Sequence, residues 1–178
     1  MILGGARSGK SAEAERRLTL LTDSARSAVY IATGGQRPDD AEWAERVSHH
    51  RARRPQSWET VETTDIAGVL RDADRPVLVD CLTLWLTAAM DEAGAWDDAT
   101  WYAGGQAELA GRFDELTAAW QAATVPVLAV SNEVGLGIVP ETAAVRRFRD
   151  EQGRLNQRIA ALSDSVVLMV AGIAVSVR

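Results

Sequence analysis

The only lysine of this 178-residue chain is Lys10, beside eighteen arginines. It lies in the segment Gly4-Gly5-Ala6-Arg7-Ser8-Gly9-Lys10-Ser11, which fits the phosphate-binding pattern G-x-x-x-x-G-K-[ST]. Glycines let such a loop turn its N–H groups inward, and a helix that begins near Ser11 adds the positive end of its dipole. The pattern assigns Lys10 to the β- and γ-phosphates and Ser11 to Mg²⁺. A chance glycine-rich turn is the alternative.

Two carboxylates follow strand-like runs. Asp80 ends the apolar run 76–79, where the second acidic residue of a phosphate-loop protein usually holds Mg²⁺, directly or through water. A carboxylate that only caps the helix starting at Leu82 is the alternative. The neighbouring Cys81 is expected to pack rather than to act as a nucleophile. Glu62 follows the run 58–61 and is a candidate for a ribose or a metal; a surface carboxylate is the alternative.

The chain has two histidines, His49 and His50, in a basic stretch that ends at Arg54. Such a cluster could bind phosphates, and an imidazole nitrogen could attack phosphorus to form a phosphoramidate. Neighbouring cations keep an imidazole neutral and therefore nucleophilic. A solvated basic helix face is the alternative. Adjacent helical residues point about 100° apart, so one histidine at most faces a site, and Arg46 shares the face of His50.

Composition limits the class of protein. The chain is 47% hydrophobic and 25% charged, which suits one soluble globular domain over residues 1–178. A net charge of −6 argues against a nucleic-acid binder. No apolar run is long enough to predict a membrane span, and one cysteine excludes an internal disulfide. Because the phosphate loop begins at Gly4, we expect no signal peptide and a cytoplasmic protein.

Short apolar runs alternate with longer amphipathic ones, which predicts a parallel sheet covered by helices. Strands are predicted at 1–3, 28–32, 58–61, 76–80, 125–131 and 166–170, and the third of these has the weakest pattern. Helices are predicted at 11–21, 39–53, 65–72, 82–92, 98–123 and 141–163, with N-caps at 39–40 and 63–65. The predicted fold is therefore α/β, a single domain of the P-loop NTPase type, RecA-like, with a mostly parallel sheet flanked by helices.

Two loops, at 33–38 and 132–140, are longer than their connections require. Ligands of open α/β sheets lie outside the carboxyl ends of the strands, so both loops belong to the predicted active edge.

Further segments follow the phosphate loop in order. They are Tyr30-Ile31-Ala32-Thr33, Arg46-Val47-Ser48-His49-His50-Arg51 with Arg54-Pro55, Trp58-Glu59-Thr60-Val61-Glu62, Asp80-Cys81-Leu82-Thr83-Leu84-Trp85-Leu86-Thr87, Ser131-Asn132-Glu133-Val134-Gly135-Leu136-Gly137-Ile138-Val139-Pro140, Phe148-Arg149-Asp150 and Gly153-Arg154-Leu155-Asn156-Gln157. In these segments together with the phosphate loop, the chain resembles the bifunctional adenosylcobinamide kinase / adenosylcobinamide-phosphate guanylyltransferase family of cobalamin biosynthesis. The resemblance covers nearly the whole length of the chain.

The resemblance implies two reactions. ATP or GTP phosphorylates the hydroxyl of the aminopropanol arm of adenosylcobinamide. GTP then donates GMP to an active-site histidine and releases pyrophosphate, and adenosylcobinamide phosphate takes the GMP to give adenosylcobinamide-GDP. It also implies a requirement for Mg²⁺ and a homotrimer with the nucleotide site near a subunit boundary.

The resemblance further implies residue roles. His50, four positions after Arg46, is the guanylylated histidine, and it acts with Lys10 in catalysis. Ser11 and Asp80 are the metal ligands, and the C-terminal segment 171–178 receives no role. The nucleotide-binding positions are Gly4, Gly5, Ala6, Arg7, Ser8, Gly9, Lys10, Ser11, Ala32, Thr33, Gly34, Arg51, Ala52, Arg53, Arg54, Glu62 and Asp80.

Two other functions stay open from the residues. One is a single-function P-loop kinase or NTPase whose histidines are structural. The other is a nucleotide-sensing binding protein that does no corrinoid chemistry. The histidine segment distinguishes the bifunctional enzyme from a single-function kinase or NTPase. The intact set Lys10, Ser11 and Asp80 argues against a protein that only senses nucleotides.

Overall fold

A computed structural model describes residues 1–22, 27–35 and 39–178, apart from the side chains of Arg46 and His49. Its strands form one seven-stranded sheet in the order β3-β2-β4-β5-β1-β6-β7. All neighbouring strands are parallel except β6 and β7, which pair antiparallel. The predicted mostly parallel α/β sheet is confirmed. The strands are β1 (Ile2–Gly4), β2 (Val29–Ala32), β3 (Glu59–Glu62), β4 (Val77–Asp80), β5 (Val127–Asn132), β6 (Val167–Val170) and β7 (Ile173–Ser176).

Helices connect the parallel strands. They are α1 (Lys10–Leu21), α2 (Ala41–Arg53), α3 (Ile66–Asp72), α4 (Leu82–Glu92), α5 (Asp98–Thr100), α6 (Gln106–Ala122) and α7 (Ala143–Ala161). The predicted caps are confirmed, because the Asp40 carboxylate accepts from the Trp43 N–H and that of Asp65 accepts from the Gly68 N–H. Among the helices of the described chain, none combines the length and the apolar character that a membrane span requires.

The inner strands β2, β4 and β5 are mostly buried on both faces, which explains their continuous apolar runs. Val77 and Val79 of β4 point into the core beneath α3, α4, α6 and α7, whereas Leu78 points to the core beneath α1. The same alternation puts Ile31 on the first face and Tyr30 on the second. Tyr30 is thus a polar-tipped side chain in the core layer that borders the phosphate-loop helix.

The predicted helix 98–123 is interrupted, which the sequence pattern did not show. A π-helical turn at Trp101–Gly105 separates α5 from α6, and Gly104 inside it has a non-helical φ of 160°. A Cβ at Gly105 would lie 2.2 Å from the carbonyl oxygen of Ala93. The backbone at position 105 therefore approaches the end of α4 more closely than a residue with a side chain would allow. Trp101 of the turn is buried.

The C-terminal segment, to which the sequence assigned no functional role, forms a strand that the sequence did not predict. Ala171 and Gly172 make a tight turn with φ of 49° and 82°, and β7 then returns along β6. The Gly172 N–H donates to the carbonyl of Ser8 at 3.1 Å, which ties this hairpin to the phosphate loop. An Ala-Gly turn lacks the Asn-Gly or Asp-Gly signal that would have predicted a hairpin.

Candidate active site

Strand register gathers the predicted site along one edge of the sheet. Ala32, the last residue of β2, pairs with Glu62 on one side and with Asp80 on the other. Farther along the same edge, Gly4 pairs with Asn132 of β5. Since these strands are parallel, their carboxyl ends lie together, and the phosphate loop opens at the same edge.

The backbone of the phosphate loop depends on two of its glycines. Gly9 has a φ of 95° and turns the chain into α1, a left-handed conformation that favours glycine. A Cβ at Gly4 would lie 2.7 Å from the carbonyl oxygen of Met169 on the neighbouring β6. Three predicted positions between them, Gly5, Ala6 and Arg7, are exposed at the loop surface.

Donors of the loop are placed for an anion. Lys10 is buried, and its Nζ donates across the loop to the carbonyl of Gly5 at 2.6 Å. Within the described ranges, the Ser8 hydroxyl is buried and has no hydrogen-bond partner. A buried hydroxyl without a partner costs free energy, and a phosphate oxygen would satisfy it. Ser11 follows in the first turn of α1 and is partly exposed.

The carboxylate of Asp80 connects the sheet edge to the histidine helix. Its Oδ2 accepts from the Tyr30 hydroxyl at 2.6 Å, and the same oxygen lies 3.8 Å from Nδ1 of His50. The structure therefore brings the predicted metal ligand and the predicted nucleophile into one site. Sequence spacing could not predict this proximity, because thirty positions separate the two residues along the chain.

Burial and charge set the protonation of this group of side chains. Burial lowers the pKa of His50, and Arg53 and Arg54 lower it further, against the opposing effects of Asp80 and Glu15. His50 is therefore neutral near pH 7, which leaves a lone pair on one ring nitrogen. Burial also raises the pKa of Tyr30 well above its usual range, so its hydroxyl keeps the proton that it donates to Asp80.

Each of the three predicted arginines after His50 has a different contact. Arg51 forms an ion pair with Glu62. Arg53 pairs with Glu15 of α1, with Nε–Oε2 and Nη2–Oε1 distances of 3.2 and 3.3 Å.

Arg54 lies over the ring of Tyr30, 3.4 Å from its centroid, and its Nη1 is 3.3 Å from the hydroxyl of Thr60. Two of the three arginines, Arg51 and Arg54, line a cavity together with Glu62, the last residue of β3.

This cavity, of about 420 Å³, lies between the end of α2 and β3. Its wall includes the predicted residues Arg51, Arg54 and Glu62, together with Pro55 and Trp58. A carboxylate between two guanidinium groups and an aromatic ring provides acceptors, donors and an apolar face in one place. These are the groups that hold a planar heterocycle with a polar edge.

The remaining predicted positions support the backbone of the site. The Thr33 hydroxyl accepts from the Cys81 N–H at 2.9 Å and donates to its carbonyl at 2.7 Å. This hydroxyl is buried and holds the segment that follows Asp80. The ring of Trp43 packs so closely on Gly34 that a Cβ at position 34 would lie 2.5 Å from a ring carbon. Ala52 is exposed on α2.

Parts of two predicted features lie outside the described residues. The loop 33–38 is described only to residue 35, and the side chains of Arg46 and His49 are not described. Cys81 is buried as expected, and burial raises the pKa of its thiol to about 11, which argues against a nucleophile.

The predicted Mg²⁺ ligands fit a metal that is shared with phosphates. In the described part of the chain, no three histidine, cysteine or acidic side chains gather into a metal-binding cluster. Mg²⁺ bound to a nucleotide needs only one or two protein oxygens beside phosphates and waters. The Asp80 carboxylate and the Ser11 hydroxyl are oxygen donors of this kind.

A buried polar network fixes the start of the loop 132–140. Gln152 and Asn156 of α7 bond with the Ser131 hydroxyl of β5, and Asn156 also donates to the carbonyl of Asn132 at 3.0 Å. The N–H of the next residue, Glu133, donates to the carbonyl of Gly4. The loop thus begins against the phosphate loop, as its predicted place on the active edge requires.

Comparison with known proteins identifies the family. The family model described as cobinamide kinase / cobinamide phosphate guanyltransferase matches residues 1–177. The chain belongs to this family. The bifunctional adenosylcobalamin biosynthesis protein CobU of Escherichia coli (strain K12) is 41% identical over 184 residues, which cover 100% of this chain and 98% of that protein. The bifunctional adenosylcobalamin biosynthesis protein CobP of Pseudomonas aeruginosa is 42% identical over 177 residues, with 97% and 93% covered.

A solved structure shares the fold. A prototypical ATPase from the type III secretion system of pathogenic bacteria matches with a TM-score of 0.59 at 15% identity. The match covers 98% of this chain and 55% of that chain, so this family member spans about half the length of the ATPase. The predicted P-loop NTPase-type fold is confirmed, and at this identity the likeness concerns the fold alone.

Sequence reasoning missed two residues of the site. Tyr30 lay in a segment used for the resemblance but received no role, although it donates to Asp80. Glu15 was not singled out, although it is buried and pairs with Arg53. One signal was available for Glu15: it directly follows Ala14, which belongs with Leu18 to the buried stripe of α1. A carboxylate beside such a stripe needs a partner.

The lowered pKa of His50 gives a testable prediction. We expect NMR titration of its imidazole to give a midpoint below the ordinary value of 6.5, because burial opposes its charge. The variant His49→Gln leaves one histidine and removes any ambiguity of assignment. A folded-state pKa below the unfolded one also means that protonating His50 destabilises the fold as the pH falls below about 6.5. A midpoint at or above 6.5 would show that burial does not lower the pKa of His50.

Proposed function

We propose that this chain carries out both reactions of its family. It phosphorylates adenosylcobinamide and then transfers GMP from GTP to adenosylcobinamide phosphate, with His50 as the covalent carrier. The observation that carries this proposal is the position of His50, 3.8 Å from the carboxylate of Asp80 at the phosphate-loop edge. A structural histidine on a solvated helix face has no reason to point at this carboxylate.

The kinase step needs positioning and neutralisation of charge. We assign the triphosphate to the N–H groups of the loop 4–9, the Ser8 hydroxyl and Lys10. Ser11 and Asp80 would hold Mg²⁺, which supplies positive charge at the phosphate oxygens. The hydroxyl oxygen of adenosylcobinamide attacks the γ-phosphorus and its proton passes to solvent. The bond between the γ-phosphorus and the bridging oxygen breaks, and the nucleoside diphosphate leaves with that oxygen.

The guanylyl step uses the other half of the site. Nδ1 of His50 faces Asp80 and also lies 3.4 Å from Nη2 of Arg53, which leaves Nε2 for the nucleophilic attack. Nε2 attacks the α-phosphorus of GTP, an N–P bond forms, and pyrophosphate departs. A phosphate oxygen of adenosylcobinamide phosphate then attacks the same phosphorus. The N–P bond breaks and His50 is restored.

We assign the guanosine part of GTP to the cavity beside β3. Glu62 at its wall can accept from the N–H groups on the edge of guanine, whereas adenine offers no matching pair of donors. Pro55 and Trp58 provide apolar surface for the base. Opening of the Arg51–Glu62 ion pair would free the carboxylate for this contact.

We further propose a homotrimer. Exposed apolar side chains on the C-terminal hairpin support self-association, because Val170, Ile173 and Val177 are all more than half exposed. Light scattering of the purified chain is expected to give three times its mass of 19.2 kDa. A monomeric mass at micromolar concentration would refute the proposal. Location in the cytoplasm, expected from the sequence, stays a prediction.

Protein labelling tests the covalent step. After incubation with GTP labelled at the α-phosphate, we expect acid-labile, base-stable label on the wild type and none on His50→Ala, because the N–P bond needs the His50 nitrogen. His49→Ala is the matched control and should retain label. GTP labelled at the γ-phosphate should leave the protein unlabelled. Normal labelling of His50→Ala would refute the assignment and favour a single-function kinase with structural histidines.

Phosphoryl transfer tests the loop. Lys10→Ala is expected to abolish phosphorylation of adenosylcobinamide, because the chain has no other lysine side chain to neutralise the γ-phosphate. Arg16→Ala, which removes an exposed cation from the same helix, is the control and should keep activity. Transfer is measured by product formation with and without Mg²⁺. Full activity of Lys10→Ala would remove the loop from the kinase step, and activity without a metal would refute the assigned role of Mg²⁺.

A further inference from the structure

Helix α2 carries the proposed nucleophile without an apolar face to anchor it. Among its residues whose side chains the structure describes, none is buried. By contrast, α1 and α4 each bury several side chains against the sheet. Most helices in proteins are held by such packing. The position of α2, and of His50 on it, therefore depends on polar and ring contacts rather than on a buried apolar face.

Both ends of α2 have such a contact. At the beginning, the ring of Trp43 packs on Gly34, and its Nε1 donates to the carbonyl of Gly35 at 3.3 Å. In the last turn, Arg53 reaches across to Glu15 of α1 and forms two N–O contacts of 3.2 and 3.3 Å. The second contact is the one next to the chemistry, because Nη2 of Arg53 also lies 3.4 Å from Nδ1 of His50.

Glu15 is suited to act as a fixed anchor. Its side chain is only 10% exposed, whereas that of Arg53 is 45% exposed. It lies on α1, the helix that begins at Lys10 and is rigidly joined to the phosphate loop by the backbone. A buried carboxylate requires a cation, so the Arg53 guanidinium satisfies it and gains a definite position.

We propose that Glu15 is a positioning residue: through Arg53 it holds the last turn of α2 against α1 and so keeps His50 at the phosphate edge. The inference rests on the proposed function, in which His50 receives the GMP. Arg53 and His50 are three positions apart and share one face of the helix, so fixing the guanidinium also fixes the imidazole. The nucleophile is thereby aligned with the helix that carries the phosphate-binding lysine.

The test uses a matched pair of carboxylates on α1. Glu13 has a side chain of similar burial, 11% exposed, and pairs with Arg16 and Arg17 of its own helix, without reaching α2. Glu15→Gln and Glu13→Gln therefore remove the same charge, but only the first breaks the contact to α2. Single-turnover labelling of His50 by α-labelled GTP and hydrogen exchange of the 41–53 peptide are measured in both variants.

We expect Glu15→Gln to lower the labelling rate at saturating GTP about tenfold, because a small displacement of the nucleophile is costly. The GTP concentration that gives half of the maximal rate should change much less. Hydrogen exchange within 41–53 should become faster in Glu15→Gln and stay at the wild-type rate in Glu13→Gln. The labelling amplitude reports the folded, competent fraction and separates slow chemistry from loss of fold.

A double-mutant cycle tests whether Glu15 acts through Arg53. Arg53→Gln should slow labelling as Glu15→Gln does, and the double variant should be no slower than either one. Arg53→Lys keeps the charge but offers one ammonium nitrogen in place of the two guanidinium nitrogens that contact Glu15, so it should recover part of the rate.

Wild-type labelling and exchange in Glu15→Gln would overturn the proposal, as would a double variant whose loss is the product of the single losses. If the wild type itself takes no label, the proposed function fails. Hydrogen exchange within residues 41–53 then tests by itself whether Glu15 holds the end of α2.

Discussion

The site depends on the parallel pairing of β2, β3 and β4, whose ends are in register. Because Ala32 pairs with both Glu62 and Asp80, two carboxylates from distant parts of the chain emerge at one edge. The phosphate loop reaches the same edge from β1, two strands away across β5. Backbone hydrogen bonds between these strands fix this arrangement, and the loops and helices that carry the chemistry are placed relative to it.

Polar side chains are then arranged around Asp80 in layers. Tyr30 comes from the core beneath and donates to the carboxylate, and His50 approaches it from α2. Arg54 covers the ring of Tyr30 and contributes to the low pKa of the histidine. The partly buried carboxylate of Asp80 thus lies beside a proton donor, a neutral imidazole and nearby cations. Such a group can serve a metal in one reaction and orient a nucleophile in the other, which suits two reactions at one nucleotide site.

The helix that carries His50 differs from the other helices in what holds it. Hydrophobic burial positions α1 and α4. Helix α2 is held instead by the ring of Trp43 on Gly34 at its beginning and by the Arg53–Glu15 and Arg51–Glu62 ion pairs at its end. Polar contacts of partly exposed groups are individually weak. A helix held in this way is placed by few interactions, which is the basis for our proposal that a charge on α1 helps to position His50.

The sequence by itself determined the local elements and the types of chemistry. Glycines and Lys10 specified the phosphate loop, and continuous apolar runs specified buried parallel strands, since both depend on neighbours along the chain. The hairpin at β7, the break at Gly104 and the partner of Glu15 were decided by tertiary packing. So was the meeting of His50 with Asp80, because a contact between residues thirty positions apart depends on how α2 lies over the sheet. Periodicity and spacing describe each element, but only the packed structure sets the distance between them.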